Sequence, residues 1–261
     1  MTCCNTRPYR RGLTLIELVV VLVILAAVAM LVIPRLGYVK EQADAAQAAA
    51  GAADVMNNLE LFKTQTGVYP ARMDSLLVGP TGPLISSLWL MSSTSQVPFE
   101  VGSLPTGSGN AFTTSLSRGF NTRLGNGNNA VYFMDHDPSV ADQSNSGTIL
   151  RTWNSASDQY AMVRSTDTAL IQAAGYADGV IPSNVRLIVL GVGPRNAAVG
   201  RTMASAPRHA LARREEYGRF LAIFALYQNG KPAELKVVVD SRRATIETRI
   251  GQFKDLTLTN D

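Results

Sequence analysis

The chain has 261 residues, which allows one domain or two, and whatever follows the amino-terminal apolar run is long enough to bury its own core. Its basic excess is four, but Arg7, Arg10 and Arg11 supply three of those charges; without the first twelve residues 21 basic side chains face 20 acidic ones, so the pI of 9.2 is poor support for nucleic acid as a partner. Both cysteines, Cys3 and Cys4, lie in the same opening stretch, so the remainder can form neither an internal disulfide nor a cysteine metal site.

In chain order, the first element is "RRGLTLIELVVVLVILAAVAMLVIPRLG", residues 10–37. Ala27 and Ala29 satisfy the small-x-small rule of a signal peptide, but the sequence stays apolar through Ile33, which a secretory signal does not do. Residues 13–33 are close to the ~20 needed to cross the hydrocarbon of a bilayer. The preceding arginines would keep the amino terminus cytoplasmic and send the rest outward. Neither reading accounts for Glu17, because a carboxylate inside a membrane helix costs about 2.5–3.5 kcal/mol, less near an end. A cut between Gly12 and Leu13 resolves this. It frees an α-amine at Leu13, one turn from Glu17 on the same helix face, and a carboxylate in a first turn also suits the helix dipole. In hydrocarbon each charge would seek an opposite one on its own helix or a neighbour's.

Arg10-Arg11-Gly12, then Leu13-Thr14-Leu15-Ile16-Glu17 and a long apolar helix, resembles the signal of type IV pilins and type II secretion pseudopilins. The resemblance covers roughly the first 55 residues. It implies a prepilin peptidase that cleaves after Gly12 and methylates Leu13, where the family more often has Phe. It also implies that Glu17 pairs with the terminal amine of an adjacent subunit. Further partners implied are like subunits in a filament, an inner-membrane assembly platform and membrane lipid. The location implied is the bacterial inner membrane, crossed once, with the head outside the cytoplasm and the filament periplasmic or on the surface.

Pro34 removes a backbone donor and clashes with the carbonyl of Met30, and Gly37 is a poor helix former, so a kink is expected where the helix leaves the membrane. The resemblance adds that residues 30–37 form a weak segment able to stretch as subunits pack. Beyond it, Ala45, Ala48, Ala52, Val55, Leu59 and Phe62 recur at spacings of three and four and make a single apolar stripe. Its small residues suit neighbouring helices, and the larger ones suit burial against a head. Gly67 is a C-cap candidate and Pro70 forbids the helix from resuming. The expected boundaries are a leader at 1–12, a membrane and assembly helix at 13–36, its amphipathic half at 37–67 and a globular head at 68–261. One helix over 13–66 would be roughly 80 Å long at 1.5 Å per residue.

The head reads as α+β, an antiparallel sheet packed on the back half of the long helix. Short helices are expected in "YPARMDSLL" and "GPLISSLWLMSS", and residues 92–129 read as loop-dominated. Strands are expected at 130–134 and 159–163, and a helix at 168–174. "RFLAIFALYQ", Asn229-Gly230 and "AELKVVVD" predict a hairpin with a tight turn, with "VRLIVLG" and "ATIETRI" as further strands.

Catalytic patterns are scarce. His136 and His209 are the two histidines, which excludes a three-histidine zinc site. No G-x-S-x-G elbow or Walker A loop is present. "IVLGVGPRNAAVG" places Asn196 at the third glycine of a dinucleotide fingerprint and Pro194 at the helix start, so a glycine-rich turn is the better reading. In "DHDPSVADQ", Asp135, Asp137 and Asp142 could offer oxygens to calcium, which some pseudopilin heads hold in a loop. The spacing is not that of an EF-hand, and a polar turn suits these residues better. Arg208, Arg213, Arg214 and Arg219, mixed with Glu215 and Glu216, read as a solvated face. No cofactor and no nucleic-acid partner are expected. The sequence therefore predicts a non-catalytic filament subunit of a type II secretion or type IV pilus-like assembly. The missing carboxy-terminal cysteine pair, frequent in true pilins, tips the choice towards secretion. The alternative is a membrane-anchored extracytoplasmic binding protein or enzyme that does not polymerise.

Overall fold

The computed structural model describes residues 15–88, 98–107, 109–120, 122–124, 128–140, 146–154, 157–209, 212 and 214–240. The elements are α1 (Leu15–Thr66), β1 (Met73–Val78), β2 (Phe99–Ser103), α2 (Phe112–Phe120), β3 (Thr122–Leu124), β4 (Asn128–Ala130), β5 (Tyr132–His136), β6 (Ile149–Thr152), β7 (Gln159–Val163), α3 (Thr168–Ala173), β8 (Val185–Gly191), β9 (Leu221–Tyr227) and β10 (Glu234–Val239). Two compact units divide the chain at Ala43–Asp44, inside α1. The second unit is the α+β head.

The head's main sheet runs β10-β9-β8-β1-β5-β6, and β7 joins β8 to β2. The second edge of β8 is shared, with β7 pairing at Ile188 and β1 at Gly191. The sheet is mixed, because β1 and β5 run parallel while the other pairings are antiparallel. A long connection makes this possible, since the chain from β1 to β5 includes β2, α2 and the β3–β4 hairpin. Residues 92–129, expected to be loop-dominated, thus contain a strand, a nine-residue helix and a hairpin among those described.

Both faces of the central strands are covered. Ile188, Leu190, Ala222, Phe224 and Leu226 join one core with Ala52, Val55, Leu59 and Phe62 of α1. Leu187, Val189, Leu221, Ile223 and Ala225 join a second core with Leu170 and Ile171 of α3. A strand covered on both sides has no polar face to alternate with, which is why β9 reads as the continuous run LAIFALY. Every residue of the predicted helix stripe is buried, from Ala45 at 4% exposure to Val55 and Leu59 at 0%.

α1 ends where the sequence places its stop. Gly67 adopts φ 82°, and its N–H donates to the carbonyl of Lys63 at 2.7 Å. The turn then inserts Tyr69 between helix and sheet. Its hydroxyl donates to Glu60 Oε1 at 2.6 Å and accepts from Lys63 Nζ and from the Leu235 N–H, each at 2.8 Å. Its ring meets Phe224 edge-on at 4.9 Å. One side chain thereby ties the helix end to β10.

Several local expectations are corrected. "YPARMDSLL" contains strand β1, not a helix, because Met73, Ser75, Leu76 and Leu77 are all buried between neighbouring strands and a core. The expected strand at 130–134 begins two residues later, at Tyr132. In the β9–β10 hairpin the Asn229-Gly230 turn sits inside a wider connection, residues 228–233, and the pairing shifts register between Leu235 and Val237. In "GPLISSLWLMSS" Ser86–Leu88 forms a 3-10 turn, and residues 89–93 of that stretch, like "ATIETRI", lie outside the described residues. Strands β7 and β8 and helix α3 fall within a residue of their expected positions.

Candidate assembly segment and buried polar sites

The residues singled out for processing, Gly12 and Leu13, lie outside the described residues. Glu17 lies in the first turn of α1 and is exposed. After it the helix presents apolar side chains with no cover. Leu18, Leu22, Val23, Ile24 and Leu25 are 55–63% exposed, and Met30 reaches 81%. The exposure runs around the helix rather than along one stripe, since consecutive residues share it. Such a surface needs lipid or other helices, not one neighbouring domain. The assigned helix continues through Pro34 and Gly37. Among the described residues no helix is long and apolar enough to cross a membrane. The described side chains of the run stop at Met30, while the apolar sequence continues to Ile33.

The calcium candidates are engaged otherwise. Asp135 is 1% exposed, accepts from Ser75 Oγ at 2.5 Å, and accepts from Arg151 Nε at 2.5 Å. Arg151 also donates through Nη1 to buried Asp158, whose Oδ2 accepts the Asn154 N–H at 2.7 Å. The guanidinium supplies the counter-charge that a cation would, and the cluster ties β1, β5 and β6 together. Asp137 instead closes a turn, accepting the Ser139 N–H at 2.9 Å and its hydroxyl at 2.7 Å. Asp142 lies outside the described residues, and among those described no group of three His, Cys, Asp or Glu could hold a metal. Asp135 is thus already neutralised by Arg151, and Asp137 is engaged by its own turn.

A second buried cluster explains the glycines of "IVLGVG". A Cβ on Gly191 would lie 1.9 Å from the Tyr217 hydroxyl, and one on Gly193 would lie 2.5 Å from the Asp74 carboxylate. These glycines make room for a Tyr217–Asp74 hydrogen bond of 2.6 Å, not for a dinucleotide, and among the described residues no helix follows β8. Burial pushes the Asp74 carboxyl up to about 7 against the pull of Tyr217. His136, 6.0 Å from the Tyr217 ring, is pushed down to about 4 by burial. His209 pairs instead with Asp240, at 3.0 Å. No pattern of two or three spaced residues flagged Tyr69, Arg151 or Asp74; the Gly67-x-Tyr69-Pro70 turn was the one usable signal.

A family model described as the prokaryotic N-terminal methylation motif matches residues 7–33. Type II secretion system core protein G of Escherichia coli is 36% identical over 81 residues, 30% of this chain and 56% of that protein. Core protein G of Vibrio cholerae is 37% identical over 75 residues, 28% of this chain and 51% of that protein. Over its amino-terminal part the chain is similar to these type II secretion core proteins. It spans about half the length of the curated relatives it matches. No solved structure matches it.

Proposed function

We propose that this chain is a pseudopilin, a non-catalytic structural subunit of a type II secretion filament. It is made as a precursor anchored once in the inner membrane, with its head outside the cytoplasm. A prepilin peptidase cuts after Gly12 and methylates Leu13. The freed amine then meets the Glu17 carboxylate of a neighbouring subunit as helices leave the bilayer and pack. Pro34 and Gly37 weaken the helix where it must bend during that transfer. Lipid holds the stored subunit, and the assembly platform takes it into the filament. The observation that carries this reading is the methylation motif at 7–33 leading into a helix whose apolar side chains have no cover in the monomer. The relatives' role in secretion agrees with it.

The test compares two variants in the native host. A bulky substitution, Gly12→Val, leaves the precursor uncut, seen as a larger band whose terminal sequence begins at Met1. Glu17→Ala is cut normally but yields no sheared filaments. A Gly12 variant that migrates and functions like the wild-type chain would leave a plain membrane anchor as the explanation.

A further inference from the structure

β8 carries a complementary patch at each of its ends. After its carboxy end lies an open groove of about 540 Å³, lined by Arg72, Met134, Leu150, Arg195, Asn196 and Val199 among others, with no acid in the lining. Arg72 and Arg195 are exposed. Arg72 holds φ 63°, a strained backbone for a side chain with a Cβ. Arg195 donates from Nη1 to the Thr148 carbonyl at 2.8 Å. Asn196 is 2% exposed; its Oδ1 accepts the Ala198 N–H at 2.8 Å while its Nδ2 has no partner among the described residues. A buried amide donor left without a partner is costly, and an incoming acceptor would recover that cost. Leu150 is 50% exposed and supplies an apolar floor. The groove therefore suits an acid beside an aliphatic side chain, carried on a peptide with a free carbonyl.

That combination stands before the amino end of β8. Asp178 is exposed, and Val180, two residues on, is 64% exposed. Two hydrogen bonds shape the loop: Gly179, at φ 66°, donates to the Tyr176 carbonyl at 2.9 Å, and Gln172 Nε2 donates to the Ala177 carbonyl at 3.2 Å. No ion pair engages Asp178 among the described residues. β8 separates the two patches by seven residues, or ~20 Å at ~3.3 Å per residue, so they cannot meet within one copy.

We propose that the Arg72–Arg195 groove receives the Asp178–Val180 loop of a second copy, a head-to-tail contact between heads. The contact is heterologous, since the two surfaces differ, and it repeats without closing unless its rotation closes a ring. Asp178 lies against the two guanidiniums, Val180 against Leu150, and a loop carbonyl accepts from Asn196 Nδ2. This deepens the filament reading and rests on it, by naming where heads touch once the helices have assembled.

The natural cysteine content makes a clean test. In the full-length chain with Cys3→Ser and Cys4→Ser, Leu150→Cys and Val180→Cys are introduced together, and native membranes are mildly oxidised. A ladder of covalent dimers, trimers and larger species is expected, with no ladder from either single variant. Arg195→Glu lowers its yield about tenfold, and adding Asp178→Arg restores it, as close interfacial charge pairs allow. Arg72→Glu serves as a second reversal should Arg195→Glu fold poorly, judged by its melting curve. Sheared filaments are counted in the same cells. Filaments without a ladder, or a ladder that neither charge reversal changes, overturn this contact and leave the filament reading standing. No filaments from the processed wild-type chain overturn the filament reading and the contact with it.

Discussion

The two ends of α1 obey different rules. Its front, Leu15 to Met30, leaves large apolar side chains exposed in succession, whereas its rear buries one stripe from Ala45 to Phe62 and turns polar residues such as Asp54 to solvent. A stripe is what one partner surface requires, and uniform greasiness is what lipid or a ring of helices requires. The rear half therefore owes its order to the head, and the front half waits for surroundings that the monomer does not supply.

The sharpest way to break that contrast is to truncate one side chain on each side of it. Phe62→Ala opens the core shared with Phe120 and Phe224 and is expected to destabilise the head by about 3–5 kcal/mol. Leu22→Ala, in the exposed front, is expected to shift head unfolding by less than about 0.5 kcal/mol. Denaturant melts of the full chain in detergent measure both; equal effects would erase the distinction.

Proton linkage gives a second handle on the head, because two of its buried groups carry it. Asp74, raised to about 7 from an ordinary 3.8, favours folding fully below about 4 and loses that contribution as pH rises towards 7. His136, lowered to about 4 from 6.5, contributes above 6.5 and loses it as pH falls towards 4. The slopes oppose each other between about 4 and 6.5, each worth up to about 3–4 kcal/mol over its full window. Asp74→Asn exposes the histidine slope, so this variant weakens as pH falls. His136→Phe exposes the opposite slope and weakens as pH rises. Urea midpoints from pH 4 to 7 read the effect, and two variants as flat as the wild type would show that neither group is coupled to folding.

Among changes to the head, the smallest expected effect lies at the joint between helix and sheet. Tyr69→Phe keeps the ring against Phe224 but removes the hydroxyl shared by Glu60, Lys63 and the Leu235 N–H. A loss of about 1–3 kcal/mol is expected, with increased amide exchange at Leu235. Unchanged exchange there would mean that the hydroxyl is not the tie between α1 and β10.

Much of this was written locally. The helix stripe, the Gly67 stop, β7, β8, the paired runs of β9 and β10 and the motif around Glu17 can all be read from spacing, because helix period, strand runs and glycine turns depend on near neighbours. Strand β1 escaped because Met73 to Val78 has the apolar content of either a short helix or a strand, and only the pairing with β5 and β8 decides between them. Asp135 looked like a cation ligand for a similar reason: its guanidinium partner is sixteen residues away and its serine sixty.

By itself, then, the sequence determined the long helix, its change of character along its length and the class of processing signal, since each rests on contacts within a few residues. The tertiary structure alone decided the parallel pairing of β1, the glycines that admit Tyr217 and Asp74, and the engagement of Asp135 by Arg151. Those depend on which side chains are brought together in a water-poor interior, where an unpaired charge or a misplaced Cβ costs far more than any local preference.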